Sequence, residues 1–231
     1  MEELLDLSYY KVLPAQQFST PRYLINEITN EIEYIANPEF YDGLIDYCYS
    51  KICETLDLFH EPVKWATDLR GYKDTFVTVS QFDLNKEWCL FGDDELFKGI
   101  HNKLELECNI LFIELLGGNT YNDEPAGFIE DNKFKKSFNS NCMFEFDLAL
   151  YLAGDERQDL FKRDYEEYLL ELDKEMMRDL NPYIEKFISL KRSDWDNIFE
   201  MPNTPKYNKG KVWIIDKIMD AKQALIEYRD K

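Results

Sequence analysis

The stretch from Met143 to Leu180 reads MFEFDLALYLAGDERQDLFKRDYEEYLLELDKEMMRDL: a short apolar segment, a Gly-Asp break and a long charged run. From Asp155 onward, Phe161, Tyr165, Tyr168, Leu169, Leu172, Met176 and Leu180 recur at steps of three and four, which places them on one face of an α-helix. Asp155 stands where an N-cap is wanted, with Gln158 three residues on as the partner of a capping box. Asn181-Pro182 supplies a stop, so the spacing predicts a helix of about seven turns. Before the break, Phe144, Leu148, Tyr151 and Leu152 also keep helical spacing, and Gly154 lets the chain turn through a left-handed conformation. The expected unit is a helical hairpin with a tight Gly-Asp corner.

The same test, extended along the chain, predicts a mainly α fold: a helical bundle built from helical hairpins, with at most one small β-hairpin. Thr20-Pro21 reads as an N-cap and first-turn proline, followed by Leu24, Ile25, Ile28, Ile32 and Ile35 on one face. Asn37-Pro38 ends that helix and opens another with the face Phe40, Tyr41, Leu44, Ile45, Cys48, Ile52, Leu56 and Phe59. Phe76 to Val79 and Trp88 to Phe91 are β-forming runs and predict the small hairpin. A further helix carries Leu96, Ile100, Leu104, Cys108, Leu111 and Leu115 and stops at Gly117-Gly118. Tyr183 to Leu190 continues as a helix, Trp195, Ile198 and Phe199 are apolar anchors, and a last helix runs from Lys211 to Arg229. The domain reading is an extended N-terminal arm over residues 1–19 and one mainly helical domain over 20–231, with a long loop at 117–140 and a linker at 201–209.

Composition narrows the function. No run approaches the roughly 18 uncharged residues of a membrane span, and the MEELLDL start is acidic where a signal peptide is basic, so the expected locations are a host cytoplasm or a virion. Cys48, Cys53, Cys89, Cys108 and Cys142 form no Cys-x-x-Cys pair, and with His60 and His101 remote from each other no zinc site is expected. The net charge of −19 argues against direct binding of nucleic acid. Its distribution is uneven: twelve acids face three bases through Pro62, whereas four acids face seven bases from Met201 onward.

No glycine-rich phosphate loop, nucleophile elbow, His-Glu-x-x-His or calcium loop is present. Asp57 and His60, three residues apart, are the nearest approach to a ligand pair. The carboxylate pairs Asp93-Asp94, Glu105/Glu107 and Glu166-Glu167 have no partner that singles one out for acid–base work. The expectation is therefore a non-catalytic interaction protein without cofactor or metal, and an enzyme of unrecognised type is the remaining alternative. Two binding modes fit. In one, Glu31, Asp42 and Asp46 among other acids imitate the charge of DNA and block a host nucleic-acid-binding or defence protein. In the other, oppositely charged ends let identical subunits close a homo-oligomeric ring among neighbouring virion proteins. The partner-binding residues would be Leu4, Leu5, Tyr9 and Tyr10 of the arm, and Phe128, Phe134, Lys135, Lys136 and Phe138 of the loop.

The run Leu148-Ala149-Leu150-Tyr151-Leu152-Ala153-Gly154-Asp155-Glu156, with the Glu-, Tyr- and Leu-rich segment ending in Arg178-Asp179-Leu180-Asn181, resembles the corresponding hairpin of phage head-to-tail adaptor proteins. That resemblance spans about 40 residues. It implies a helical, non-enzymatic subunit of a connector ring, while the apolar arm, the long central loop and the basic C-terminal helix, features of a subunit touching neighbours, rank assembly above DNA mimicry.

Overall fold

The computed structural model describes residues 4–13, 22–37, 40–70, 76–82, 88–90, 99–116, 126–136, 168–170 and 172–230. Strands β1 (Leu5–Asp6), β2 (Tyr10–Val12), β3 (Arg22–Asn26), β4 (Ile32–Asn37), β5 (Val63–Thr67) and β6 (Phe76–Gln81) form one sheet in the order β1-β5-β6-β4-β3-β2. Strands β7 (Trp88–Leu90), β8 (Ala126–Glu130) and β9 (Lys133–Lys136) form a second, antiparallel sheet. The described helices are α1 (Phe40–Leu56), α2 (Lys103–Leu115), α3 (Lys174–Asp179), α4 (Asn181–Ser189), α5 (Arg192–Ile198) and α6 (Pro205–Arg229). Two sheets overturn the expectation of a mainly α bundle.

The decisive difference lies at residues 20–37. The helix expected there is instead the β3–β4 hairpin, with Tyr23 paired to Ile35 and Leu24 to Tyr34. Its isoleucines fit strands as well as a helical face, and their β-branching favours strands. Asn26 and Asn30 make the turn: the Asn26 side chain accepts from Ile28 N at 2.9 Å, and Asn30 has φ 61°. Phe76–Val79 and Trp88–Leu90 are strands as expected, but they belong to different sheets and do not pair with each other. The long loop is interrupted by the β8–β9 hairpin, whose Asp131-Asn132 corner has φ 51° and 60°, the two-residue turn that matches strand twist.

The first sheet must roll up. Its outer strands β1 and β2 are joined through residues 7–9, a link that reaches about 14 Å at most. The edges of six flat strands would stand about 24 Å apart. Inside the roll lie Leu7, Tyr10, Leu24, Ala36, Ala66, Leu69, Val77 and Val79. The residues expected to form a separate arm are thus the edges of this sheet, with Leu7 fully buried and its N–H bonded to Thr67 O at 2.9 Å.

The outer face of the roll carries α1. Leu44, Ile45, Tyr47, Cys48, Tyr49, Ile52, Cys53 and Leu56 are all buried, because the sheet covers one side of this helix while α4 and α6 pack on others. Asp57, at φ 60°, ends it: Leu58 N bonds to Cys53 O and Asp57 N to Glu54 O, a Schellman closure made with aspartate where glycine is usual. Aromatic contacts fasten the roll to the helical half. Trp65 of β5 stands 5.0 Å from both Tyr47 of α1 and Tyr207 of α6, and Tyr47 Oη donates to Glu200 O at 2.7 Å. Trp195, Phe187 and Phe199 fill the helical core.

In the C-terminal part, Asp173 caps α3 by accepting from Glu175 N and Met176 N. The helix expected to run unbroken to Leu180 therefore restarts at Lys174, and Asn181-Pro182 begins α4 as well as ending α3. Thr204 caps α6 and Pro205 opens it, which brings much of the expected linker into the helix. The hairpin's first half, its Gly154 corner and the Asp155 cap lie outside the described residues. No described helix is long and apolar enough to cross a membrane.

Candidate functional site

Residues paired across a sheet share a face. The row Tyr23, Ile35, Ser80 and Val63 crosses β3, β4, β6 and β5 on the face that carries α1. Val63, at the α1 end, is buried, with its N–H bonded to the Ser50 hydroxyl at 2.9 Å. Tyr23, at the far end, is 40% exposed. Its ring meets Phe82 edge-on at 5.0 Å, and Phe82 N continues the β6–β4 ladder to Glu33 O. The result is an aromatic ledge beside α1, at the mouth of the segment joining β2 to β3; Leu13 N bonds to Tyr23 O at that mouth. A flat ring of a ligand can stack there.

A second cluster sits where α1 runs into the second sheet. Phe59 N donates to Glu105 Oε2 of α2 at 3.0 Å. The ammonium groups of Lys133 and Lys135, both from β9, stand 5.7 and 5.5 Å from the centre of the Phe59 ring. His60, half-buried beside them, donates from Nδ1 to Leu58 O at 2.7 Å. Burial, first of all, holds its pKa below the ordinary histidine value; Lys135 and Lys51 act the same way, while the Leu58 carbonyl and Glu54 oppose them. Asn102 clamps this sheet to α2, donating to Phe134 O at 2.9 Å and accepting from Phe134 N at 2.8 Å.

The residues expected to bind partners are scattered by this fold. Leu4 packs on the main core, Leu5 pairs with Ala66, and Tyr10 is buried in the roll, leaving Tyr9 exposed at a turn. Phe134 is buried, Lys135 pairs with Glu130 at 3.1 Å, Phe128 and Lys136 are strand residues of β8 and β9, and Phe138 lies outside the described residues. Of the acids, Glu31 is exposed in the β3–β4 turn, Asp42 lies in the first turn of α1, and Asp46 is 8% exposed. Asp57 pairs with Lys186 rather than with His60. Among the described residues no three His, Cys, Asp or Glu side chains converge on a metal-sized site. Tyr23 and Phe82 went unmarked in the sequence because single aromatics in strands and loops carry no spacing signal, and Phe59 was read only as the last apolar position of a helical face.

The fold itself has solved counterparts. The Helicobacter pylori proinflammatory kinase CtkA superposes with a TM-score of 0.56 over 97% of this chain and 99% of that one, at 14% identity. No protein-family profile and no curated protein matches the sequence. The likeness in fold overturns the expectation of a non-catalytic helical assembly subunit of a virion or a DNA-mimicking inhibitor.

Kinases cover the nucleotide phosphates with a glycine-rich loop and hold them with a strand lysine paired to a helix glutamate. Here the order of elements is met by β2, β3 and β4 followed by α1. The residues differ: the 13–21 segment is LPAQQFSTP, without glycine, and β4 is IEYIAN, without lysine.

Proposed function

We propose that this chain is a nucleotide-binding enzyme of the kinase fold, whose chemistry is phosphoryl transfer to an acceptor hydroxyl. The likeness in fold over nearly the whole length of both chains carries this reading, and the Tyr23–Phe82 ledge supplies a surface for the base. In the transfer, the acceptor oxygen bonds to the terminal phosphorus, the bridging P–O bond breaks, the nucleoside diphosphate leaves and the acceptor proton passes to a base. Without a loop glycine or a β4 lysine, stacking on the base contributes a larger share of the affinity than in the kinase template.

The test is calorimetric titration of the full chain with ATP and GTP in magnesium buffer, followed by incubation with γ-labelled nucleotide and a cell extract as acceptor. Binding, labelled acceptor, and at least tenfold weaker affinity in Tyr23→Ala, about the loss of one stacking contact, are the expected results. Absence of binding to either nucleotide at millimolar concentration would end the proposal.

A further inference from the structure

Ile28 is 74% exposed and Tyr9 58%, and both stand where the first sheet closes on itself. Leu7 N bonds to Thr67 O at 2.9 Å, Glu27 N to Tyr9 O at 2.8 Å, and Arg70 pairs with Glu27 at 3.2 Å. The β1–β2 link, the β3–β4 turn and the segment after β5 therefore meet there. The ladder sets Tyr10 against Asn26, and the bond from Glu27 to Tyr9 carries it one step further, so Tyr9 lies across from the residue before Ile28. A single exposed apolar side chain is ordinary on a protein surface, but two on adjoining strands make a patch.

Polar neighbours hold the turn that carries Ile28. Asn26 Oδ1 accepts from Ile28 N at 2.9 Å, Asn30 N donates to Asn26 O at 2.8 Å, and Thr29 Oγ1 donates to Glu33 Oε1 at 3.1 Å. None of these bonds uses the isoleucine side chain, and small polar residues suit such a turn better. Ile28 is thus fixed in water without serving the fold, and a partner that covers it loses little entropy in doing so. The exposed charges around it are Asp6, Glu27, Glu31 and Asp68 against Lys11 and Arg70, and Arg70 is already held by Glu27. A second copy of the chain meeting this patch by twofold symmetry would set the acids against one another. A cationic partner is instead drawn to them, and the net charge of −19 adds to that attraction at long range.

We propose that Ile28 and Tyr9, with the acids around them, form a docking surface for another protein, which binds through a segment carrying an apolar side chain flanked by lysine or arginine. The surface uses neither Tyr23 nor Phe82, so it stands or falls apart from nucleotide binding.

The experiment exposes the full chain, without nucleotide, to an array of short peptides in which one leucine, isoleucine or phenylalanine is flanked by lysines and arginines. Two control arrays carry glutamate in place of the bases, or serine in place of the apolar residue. Peptides of the first array should be retained above both controls, and the best of them is then titrated by fluorescence polarisation. Ile28→Ser should weaken its binding at least about tenfold, the effect of returning one isoleucine side chain to water, while the urea midpoint stays unchanged. Glu31→Lys should slow association and flatten its dependence on salt. Three results overturn the proposal: no retention above the controls, equal binding by wild type and Ile28→Ser, or a wild-type dimer in sedimentation that Ile28→Ser dissociates, the sign of a second copy as the occupant.

Discussion

Replacing Leu7 by alanine tests whether the N-terminal residues are an arm or part of the sheet. Leu7 has no exposed surface and shares the interior of the roll with seven other buried side chains, of which Ala36 and Ala66 have nothing to extend into a void. Its backbone bonds, from Leu7 N to Thr67 O and from Tyr10 N to Leu7 O, survive the substitution, so the loss is that of side-chain packing alone. Buried leucine-to-alanine changes cost about 2–5 kcal/mol, and a core this small relaxes little, so about 3 kcal/mol is expected. For a chain of this size that lowers Tm by about 6–12 °C. Urea unfolding followed by tryptophan fluorescence should show a lower midpoint with an unchanged slope. Tyr9→Ala, at a residue 58% exposed, should change stability by less than about 0.5 kcal/mol. A Leu7→Ala loss below about 1 kcal/mol, or a chain starting at residue 14 that unfolds as cooperatively as the full one, would refute the rolled-sheet argument.

Tyr10 Oη donates to Glu33 Oε2 at 2.6 Å, and Asn26 and Thr29 donate to Glu33 Oε1, so Tyr10→Phe should cost about 1 kcal/mol after allowance for partial exposure. The Tyr10 bond, more than any other influence, lowers the Glu33 pKa; its contribution is present above the ordinary carboxylate pKa and lost as pH falls through the folded value. The wild-type advantage should therefore fade in urea titrations below about pH 4. At the alkaline end, burial and then Glu33 raise Tyr10 to about 12, so the corresponding stability declines as pH climbs from 10 towards 12. Asn102→Ala strands the N–H and C=O of a residue only 1% exposed, Phe134, and should cost about 2–4 kcal/mol, with faster hydrogen exchange across β8 and β9.

Legibility followed the length and uniqueness of each signal. The α1 segment was readable because its apolar positions surround the helix for four turns, and α6 because its buried residues Ile214, Ile218, Ala221 and Leu225 keep the period to the end. The β3–β4 hairpin was not, because isoleucines at 25, 28, 32 and 35 satisfy a helical stripe while a bulge between Leu24 and Ile25 spoils strict alternation. The β8–β9 hairpin had a readable Asp-Asn corner, but its flanks are short and its charged Lys133 and Lys135 look like loop. The edge strands β1 and β2 have two and three residues each, too few for any period; only tertiary pairing makes them strands. The ledge was illegible for a related reason: it joins Tyr23 with Phe82, far apart in sequence, and the order of strands in the sheet brings them together where spacing does not.

Asp57 joins these threads, since it ends α1 and aims the chain at Phe59 and His60. At φ 60° a side chain with a Cβ is strained by about 1–2 kcal/mol, less for aspartate than for most residues, and glycine removes that strain. The same substitution deletes the ion pair with Lys186, whose side chains are 83% and 42% exposed for Asp57 and Lys186, a contact worth about 0.2–1 kcal/mol. Strain relief exceeds the lost pair by a small margin, so Asp57→Gly should stabilise the fold by about 0.5 kcal/mol in low salt. The gain should grow in 1 M salt, where screening has already removed most of the ion pair from the wild type. Asp57→Asn separates the two effects: it keeps most of the left-handed tolerance and loses only the charge, so it should be slightly less stable than wild type in low salt and equal to it in high salt. Destabilisation of Asp57→Gly by more than about 1 kcal/mol would show that the carboxylate, rather than the backbone turn, holds the end of α1 in place.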